Sequence, residues 1–172
     1  MNKVALALTL SAIVSTSVRS QSKDDQLTEI RNSLRQEVSR QMPGWKCRSI
    51  TPIQGSSGVI IDHCESADIA VKIAVTRARS VEEAQAAQKE TMAHLRLEEE
   101  VAAKRGKELH LIKEELSLGD GGFVWDIIGS EAVEFRKGRF IVNVSVPLPE
   151  GNKDAFFARK FSEYAARVLE GY

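Results

Sequence analysis

Four residues in the C-terminal half have side chains that are candidates for binding a ligand: Trp125, Asp126, Glu134 and Asn143. The two carboxylates could serve acid and base chemistry or bind a cation, and Trp125 adds a large apolar surface. Sequence spacing does not fix the separation of Asp126 and Glu134, so a solvated sheet face is the ordinary alternative. The pattern indicates a candidate face but assigns no reaction to it.

Catalysis by histidine has three candidates, His63, His94 and His110. His63 follows Asp62, but neighbouring strand residues point to opposite faces, so these two cannot form a simple carboxylate and imidazole dyad. The chain has no Gly-x-Ser-x-Gly, His-Glu-x-x-His or Cys-x-x-Cys motif and no dinucleotide-binding glycine pattern. We therefore predict no catalytic residue and no cofactor, and we favour a binding role over an enzymatic one.

The two cysteines, Cys47 and Cys64, are predicted to form a disulfide. Two extended segments flank the polar stretch 54–57, which has the composition of a hairpin loop. When this loop is centred in the hairpin, Cys47 stands directly opposite Cys64, within reach of a disulfide. A metal site is the alternative, but it needs further ligands and His63 is the only one close in sequence, so no metal is predicted.

Residues 1–20 have the composition of a secretory signal peptide, with a basic head, an apolar run at 4–14 and a small polar end. The apolar run is about half of the roughly 20 residues that a membrane span needs, so we predict no permanent membrane anchor. Cleavage after Ser17 or Ser20 satisfies the small-residue rule. The mature domain would then be 21–172 and its location secreted or periplasmic, where disulfides persist.

The charge balance of the mature chain bears on its partners. Without Lys3 and Arg19, 22 basic residues stand against 24 acidic ones, a net charge near −2. A nucleic-acid-binding protein requires a basic surplus, so the expected partner is a protein or a small molecule. About 150 mature residues are sufficient for one domain with its own core.

Alternating apolar and polar residues between Gly121 and Val146 predict three consecutive antiparallel strands. A two-residue turn at 137–138 would pair Phe135 with Phe140, and a three-residue loop at 129–131 would pair Trp125 with Phe135. On this register Asp126, Glu134 and Asn143 share one face. The other face carries the large apolar side chains: Phe123, Trp125, Ile127, Val133, Phe135, Phe140 and Val142.

Three helices are predicted around these strands. The first begins at Ser22 and ends before Pro43, the second begins at the Ser80 cap and ends near Arg105, and the third follows Asn152. The third helix should cover the apolar face of the three strands. Together with the cysteine hairpin and further strands at 69–76 and 109–118, the expected fold is α+β, with a single mainly antiparallel sheet of six or seven strands.

Three stretches carry a resemblance to a known family: Leu118-Gly119-Asp120, the segment 133–139 and the final helix at 155–169. With the order of the elements behind a signal peptide, they resemble small exported bacterial α+β domains of the PsbP-like type. The resemblance covers most of the mature chain and contains no functional motif. It therefore implies a fold and transfers no functional residue.

Three functions remain open at this stage. The leading one is an exported non-enzymatic binding or protein-interaction domain. The alternatives are a hydrolase or other enzyme that uses the acidic sheet face around Asp126, Glu134 and Asn143, and a carrier of a small apolar ligand near Trp125. A deep pocket at Trp125 would favour the carrier, and a cleft containing acids and a histidine would favour the enzyme.

Overall fold

The computed structural model describes residues 10–50, 58–67, 69–127, 130–147 and 156–172, with side chains from residue 26 onward except that of residue 127. These residues form the predicted α+β fold, with three helices and one seven-stranded antiparallel sheet. The strand order is β1-β2-β3-β7-β6-β5-β4. The elements are α1 (Leu10–Gln41), β1 (Lys46–Ile50), β2 (Val59–Ser66), β3 (Ile69–Arg77), α2 (Val81–Lys104), β4 (Ile112–Leu116), β5 (Gly122–Ile127), β6 (Ser130–Lys137), β7 (Phe140–Pro147) and α3 (Phe156–Leu169).

The hydrophobic core lies between α1, α3 and one side of the sheet, which we call the core face. Apolar residues recur at spacings of three and four along both helices, so each helix presents one stripe to the sheet. The prediction that the last helix covers the apolar side of β6 and β7 is confirmed. Buried members of this core are Leu27, Ile30, Leu34, Val38, Val71, Ile73, Val75, Val133, Phe135, Phe140, Val142, Val144, Phe161, Tyr164 and Ala165.

The helix α2 crosses the opposite side of the sheet, the second face, where it packs on β4, β6 and β7. Its predicted start is confirmed, since the Ser80 hydroxyl accepts a hydrogen bond from the Glu83 amide at 3.1 Å. Among its 24 residues only Ala84 and Leu95 are buried. Because so little of its surface is buried, α2 is held more weakly than α3, which buries seven of its 14 residues.

The predicted turn between β6 and β7 is wrong by one position. Gly138 and Arg139 form the turn, so Lys137 pairs with Phe140, and Phe135 pairs with Val142 rather than with Phe140. Gly138 does adopt the expected positive φ, at +55°.

Asp120 explains why the turn forms at this position. Its Oδ2 accepts hydrogen bonds from the Gly138 amide at 2.7 Å and from Arg136 Nη1 at 2.9 Å. This contact joins the glycine-rich segment 119–122 to the hairpin. The alternation of apolar and polar residues along a strand does not reveal a long-range interaction of this kind.

The predicted register of β5 against β6 is also wrong. Ile127 pairs with Ser130, and Trp125 therefore pairs with Ala132, three positions from its predicted partner. Since a shift by an odd number of residues exchanges the two sides of a strand, Phe123 and Trp125 lie on the second face and Asp126 lies on the core side.

Two element boundaries differ from prediction. The helix α1 begins at Leu10 instead of Ser22, because residues 10–21 contain neither glycine nor proline and allow the helix to continue. The strand β4 begins at Ile112 instead of Leu109, which is exposed, and a bulge interrupts β4 beside Lys113. The predicted hairpin loop at 54–57 and the predicted start of the third helix at Asn152 lie outside the described residues.

The predicted disulfide is present. Cys47 and Cys64 are directly opposed in the β1–β2 ladder, and their sulfurs are bonded. The hairpin register derived from the loop is therefore confirmed. No helix among the described residues is both long and apolar enough to span a membrane.

Candidate functional site

The sheet separates the four predicted face residues into two groups. Trp125, Glu134 and Asn143 lie on the second face, since Glu134 is paired with Asn143 on β7 and Trp125 is one pleat away on β5. Asp126 pairs with Glu131 and lies on the core side. The two carboxylates Asp126 and Glu134 therefore cannot act together as an acid and base pair.

Glu134 and Arg136 are the buried ionisable residues among those described on the second face. Phe123 and Asn143 flank Glu134 on the two neighbouring strands, α2 lies over it, and only 7% of the residue is exposed. Burial, the largest cause, raises the pKa of Glu134 to about 7, and hydrogen bonds with Asn143 and Thr91 act in the opposite direction. The carboxyl therefore ionises at a higher pH than that of an ordinary glutamate.

Three buried polar atoms on this face have no hydrogen-bond partner within the protein: Trp125 Nε1, Glu134 Oε1 and Arg136 Nε. We call these three residues the polar seam. Arg136 follows Glu134 by two positions on β6, so the two side chains project from the same face. The same side of the sheet thus carries an unpartnered carboxyl oxygen and two unpartnered N–H donors.

Neither cavity described along the surface opens onto the polar seam. One of about 600 Å³ lies along the outer side of α2, and one of about 170 Å³ lies between the end of β4 and α3. The smaller cavity is lined by Leu116, Leu118 and Arg159 among others. Neither cavity is lined by Trp125, so these two do not provide the pocket that a carrier would need there.

Asp126 belongs to an ionic cluster at the opposite side of β5 that the sequence did not predict. Lys113 Nζ lies 2.8 Å from Asp126 Oδ2 and 3.4 Å from Glu131 Oε2. Its hydrogen bond with Asp126 is the main cause that raises the pKa of Lys113, whereas burial raises the pKa of the Glu131 carboxyl. Sequence reasoning placed Glu131 in a loop and missed it, because the loop is one residue shorter than predicted.

The histidines lie apart from both acidic groups. Each has a glutamate as its nearest ionic partner, so the structure assembles no histidine with Glu134 or Asp126. The pairs are His63 with Glu65 at 3.2 Å, His94 with Glu98 at 3.8 Å and His110 with Glu108 at 3.2 Å. Within the described part of the chain, no group of three acidic, histidine or cysteine side chains is arranged to hold a metal ion.

Within the described part of the chain, α2 packs on the second face at β4, β6 and β7 and leaves the other half of that face open. On β1, β2 and β3 the second face carries a row of basic side chains that are directly opposed across the strands: Arg48, His63 and Lys72. We call these three residues the basic row. The side chain of Arg48 is 71% exposed, and Lys72 is exposed as well.

An apolar row runs beside the basic row on the same three strands. It consists of Ile50, Ile61 and Ala74, which are also directly opposed, and Ile50 is 37% exposed. Glu65 is the acid on this surface, and it lies 3.2 Å from His63 and 3.9 Å from Arg48. The basic row and the apolar row together form the open half-face.

The sequence contained the information for this surface. The register fixed by the disulfide already places Arg48 opposite His63, and alternation along 69–77 sets Lys72 on the side away from the core. Sequence reasoning missed the surface because it searched for catalytic residue types and not for rows of like charge.

The ionisation of Glu134 predicts an unusual pH dependence of stability. The folded pKa of about 7 lies above the ordinary 4.5. The contribution of the neutral Glu134 carboxyl to the free energy of unfolding is therefore complete below pH 4.5 and is lost as the pH rises through 7. Glu134→Gln should remove this loss, which amounts to about 3 kcal/mol between pH 4 and pH 9.

Urea unfolding of the wild type and of Glu134→Gln across this pH range measures the difference. Glu90→Gln on the exposed side of α2 is the control, and it should keep the pH dependence of the wild type. Parallel pH profiles for wild type and Glu134→Gln would contradict the burial of a titrating carboxyl.

No protein-family model matches the chain, and no curated protein matches it. Among solved structures, a GTP binding regulator from Thermotoga maritima is similar at a TM-score of 0.39 and 15% sequence identity. The match covers 73% of this chain and 76% of that one.

Proposed function

We propose that this chain is an exported, non-enzymatic binding domain that receives a protein partner on the open half-face. The observation that carries the proposal is the basic row, with Arg48, His63 and Lys72 in adjacent cross-strand positions, whereas α2, the helix on this side of the described sheet, packs on β4, β6 and β7. The apolar row lies beside it, and burying these apolar side chains against a partner would favour binding.

The arrangement of charge supports a partner of acidic character. Arg48 and Lys72 are permanently positive and lie two strands apart, about 10 Å, on either side of His63, so their potentials add at the surface between them. Glu65 is an acid on the same surface, 3.9 Å from Arg48. Carboxylates of a partner would be attracted to this positive surface, and the association would weaken with salt.

The proposed export rests on the N-terminal 20 residues and is consistent with the disulfide. Cleavage after Ser20 would leave α1 with Ser22 and Asp25 near its new start, where a hydroxyl and a carboxylate stabilise a helix. The PsbP-like resemblance belongs to the same proposal, as a fold of small exported domains.

The enzymatic and carrier alternatives have less support. Asp126 and Glu134 are on opposite sides of the sheet, and α2 covers Glu134, so a substrate has no direct access to its carboxyl. The two surface cavities described above are not lined by Trp125. Nothing in these arrangements favours acid and base chemistry over binding.

Reversing two charges of the basic row tests the proposal. The double variant Arg48→Glu, Lys72→Glu should lower capture of the partner from the source envelope or culture fluid about tenfold or more, because attraction becomes repulsion. The matched control is Arg105→Glu, Lys107→Glu, which reverses one arginine and one lysine that are exposed just beyond α2.

The measurement is quantitative mass spectrometry of proteins retained by each immobilised variant, at low and at high salt. We expect the same partner to be retained by the wild type and the control, less strongly at high salt, and lost from the Arg48→Glu, Lys72→Glu variant. Equal retention by both double variants would show that the open half-face is not the binding surface.

A further inference from the structure

The polar seam and the weak packing of α2 point to a conformational device on the covered half of the second face. Glu134 is only 7% exposed, and a carboxyl group on a buried residue is stable when neutral, whereas when ionised it requires water or charged partners. The element that covers Glu134 can therefore keep water out only while the carboxyl is neutral or has a charged partner. That element is α2, which buries only Ala84 and Leu95.

The groups that face Glu134 offer no compensating charge from a neighbouring element. Asn143 on β7 and Phe123 on β5 flank it, and Gln88 and Thr91 lie on α2, where Gln88 Nε2 donates to the Gly121 carbonyl oxygen at 3.1 Å. All four side chains are uncharged.

On the covered half of the second face, the charged residues to consider are Arg136 and Glu115 of the sheet and Arg96 of α2, which lies 3.7 Å from Glu115. Arg136 follows on β6, but its Nη1 is already bonded to Asp120 Oδ2 and to the Gly138 carbonyl oxygen. Glu115 lies on β4 opposite Phe123 with 75% of its side chain exposed, and its negative charge would oppose a second one nearby. An ionised Glu134 is therefore best stabilised by admitting water beneath α2.

We propose that protonation of Glu134 controls the docking of α2 on the sheet, so that the helix packs tightly when this carboxyl is neutral and loosens when it is ionised. Loosening would bare the side chains of Trp125 and Phe123 beside the open half-face. The device is independent of the proposed partner and concerns a different set of residues. The pKa of Glu134, about 7, places the transition near neutral pH.

Hydrogen exchange followed by mass spectrometry tests the device on the full mature chain at pH 5.5 and pH 8.5, with rates corrected for intrinsic exchange. Protection of the α2 amides should fall by up to about thirty-fold between pH 5.5 and pH 8.5, because each pH unit from 5.5 up to the folded pKa of about 7 lowers it by up to tenfold and no more is lost above that pKa. Protection in α3, which lies on the core face, should change much less.

Two variants complete the experiment. Glu134→Gln should keep α2 equally protected at both pH values, and Glu90→Gln should behave as the wild type. The proposal is overturned if α2 and α3 lose protection together, if α2 shows no pH dependence, or if Glu134→Gln keeps the pH dependence of the wild type.

Discussion

Replacing Gly119 by alanine is expected to lower the free energy of unfolding by roughly 3 kcal/mol, a steric cost added to that of a positive φ. The backbone of Gly119 has φ +60°, and a Cβ at this position would lie 2.3 Å from the Arg136 carbonyl oxygen and 3.1 Å from the Phe135 ring. The carbonyl belongs to the interior strand β6 and cannot move without disturbing the ladder. The segment 119–122 would have to separate from the β6–β7 hairpin.

Gly138→Ala is the matched control, because Gly138 has nearly the same φ, +55°, and open space where its Cβ would be. It should cost only about 1 kcal/mol, the conformational part alone. Urea unfolding of both variants measures the difference between them. Equal losses for Gly119→Ala and Gly138→Ala would show that the close contact with Arg136 is absent in solution.

Removing the disulfide is expected to have the second large effect. The bridge between Cys47 and Cys64 closes a loop of about 18 residues, and replacing both cysteines by serine should lower stability by about 2 to 4 kcal/mol. The bond joins the edge strand β1 to β2, and α1 contributes to the same connection, since Arg35 binds both Ser49 Oγ and the Asp62 carboxylate. Loss of the bond should therefore weaken β1 more than it weakens the centre of the sheet.

Thermal unfolding of the double serine variant measures the loss, and titration of free thiols in the native protein verifies the bond. We expect no reactive thiol in the native protein, and retained partner binding by the variant wherever it is folded. Two titratable thiols, or a disulfide-linked dimer, would contradict the pairing.

Sequence alone predicted the elements well where local patterns determine them. The Ser80 cap, the strand at Ile69–Arg77 and the disulfide hairpin each depend on residues close together in the chain or on one strong constraint. The apolar stripe of α3 likewise predicted the face that it buries.

The registers of β5, β6 and β7 could not be predicted in the same way. Alternation determines which residues share a side of one strand, but only the connections determine how neighbouring strands align. Here the alignment depends on Asp120, which binds Gly138 from 18 residues away. The separate error in the β5–β6 register mattered for the candidate site, because it placed Asp126 on the same face as Glu134.

The binding role of the predicted face residues stays a prediction, but part of their arrangement is as expected. Glu134 and Asn143 share a face because an even shift of register between β6 and β7 does not exchange the two sides of a strand, whereas their direct pairing results from the observed register. The burial of Glu134 was not predictable, since it depends on how α2 crosses the sheet. The open half-face has the same origin, because one helix covers only part of a seven-stranded sheet.

The central claim, that a partner binds the open half-face, is tested most directly by site-specific photo-crosslinking in the source cells. A photoreactive benzoylphenylalanine replaces Ile61, at the centre of the apolar row, or Leu97, which is 54% exposed on α2. We predict a discrete adduct from position 61 that disappears when Arg48 and Lys72 are both replaced by glutamate, and no such adduct from position 97. An adduct from position 97 alone, or one from position 61 that persists after the charge reversal, would contradict the claim.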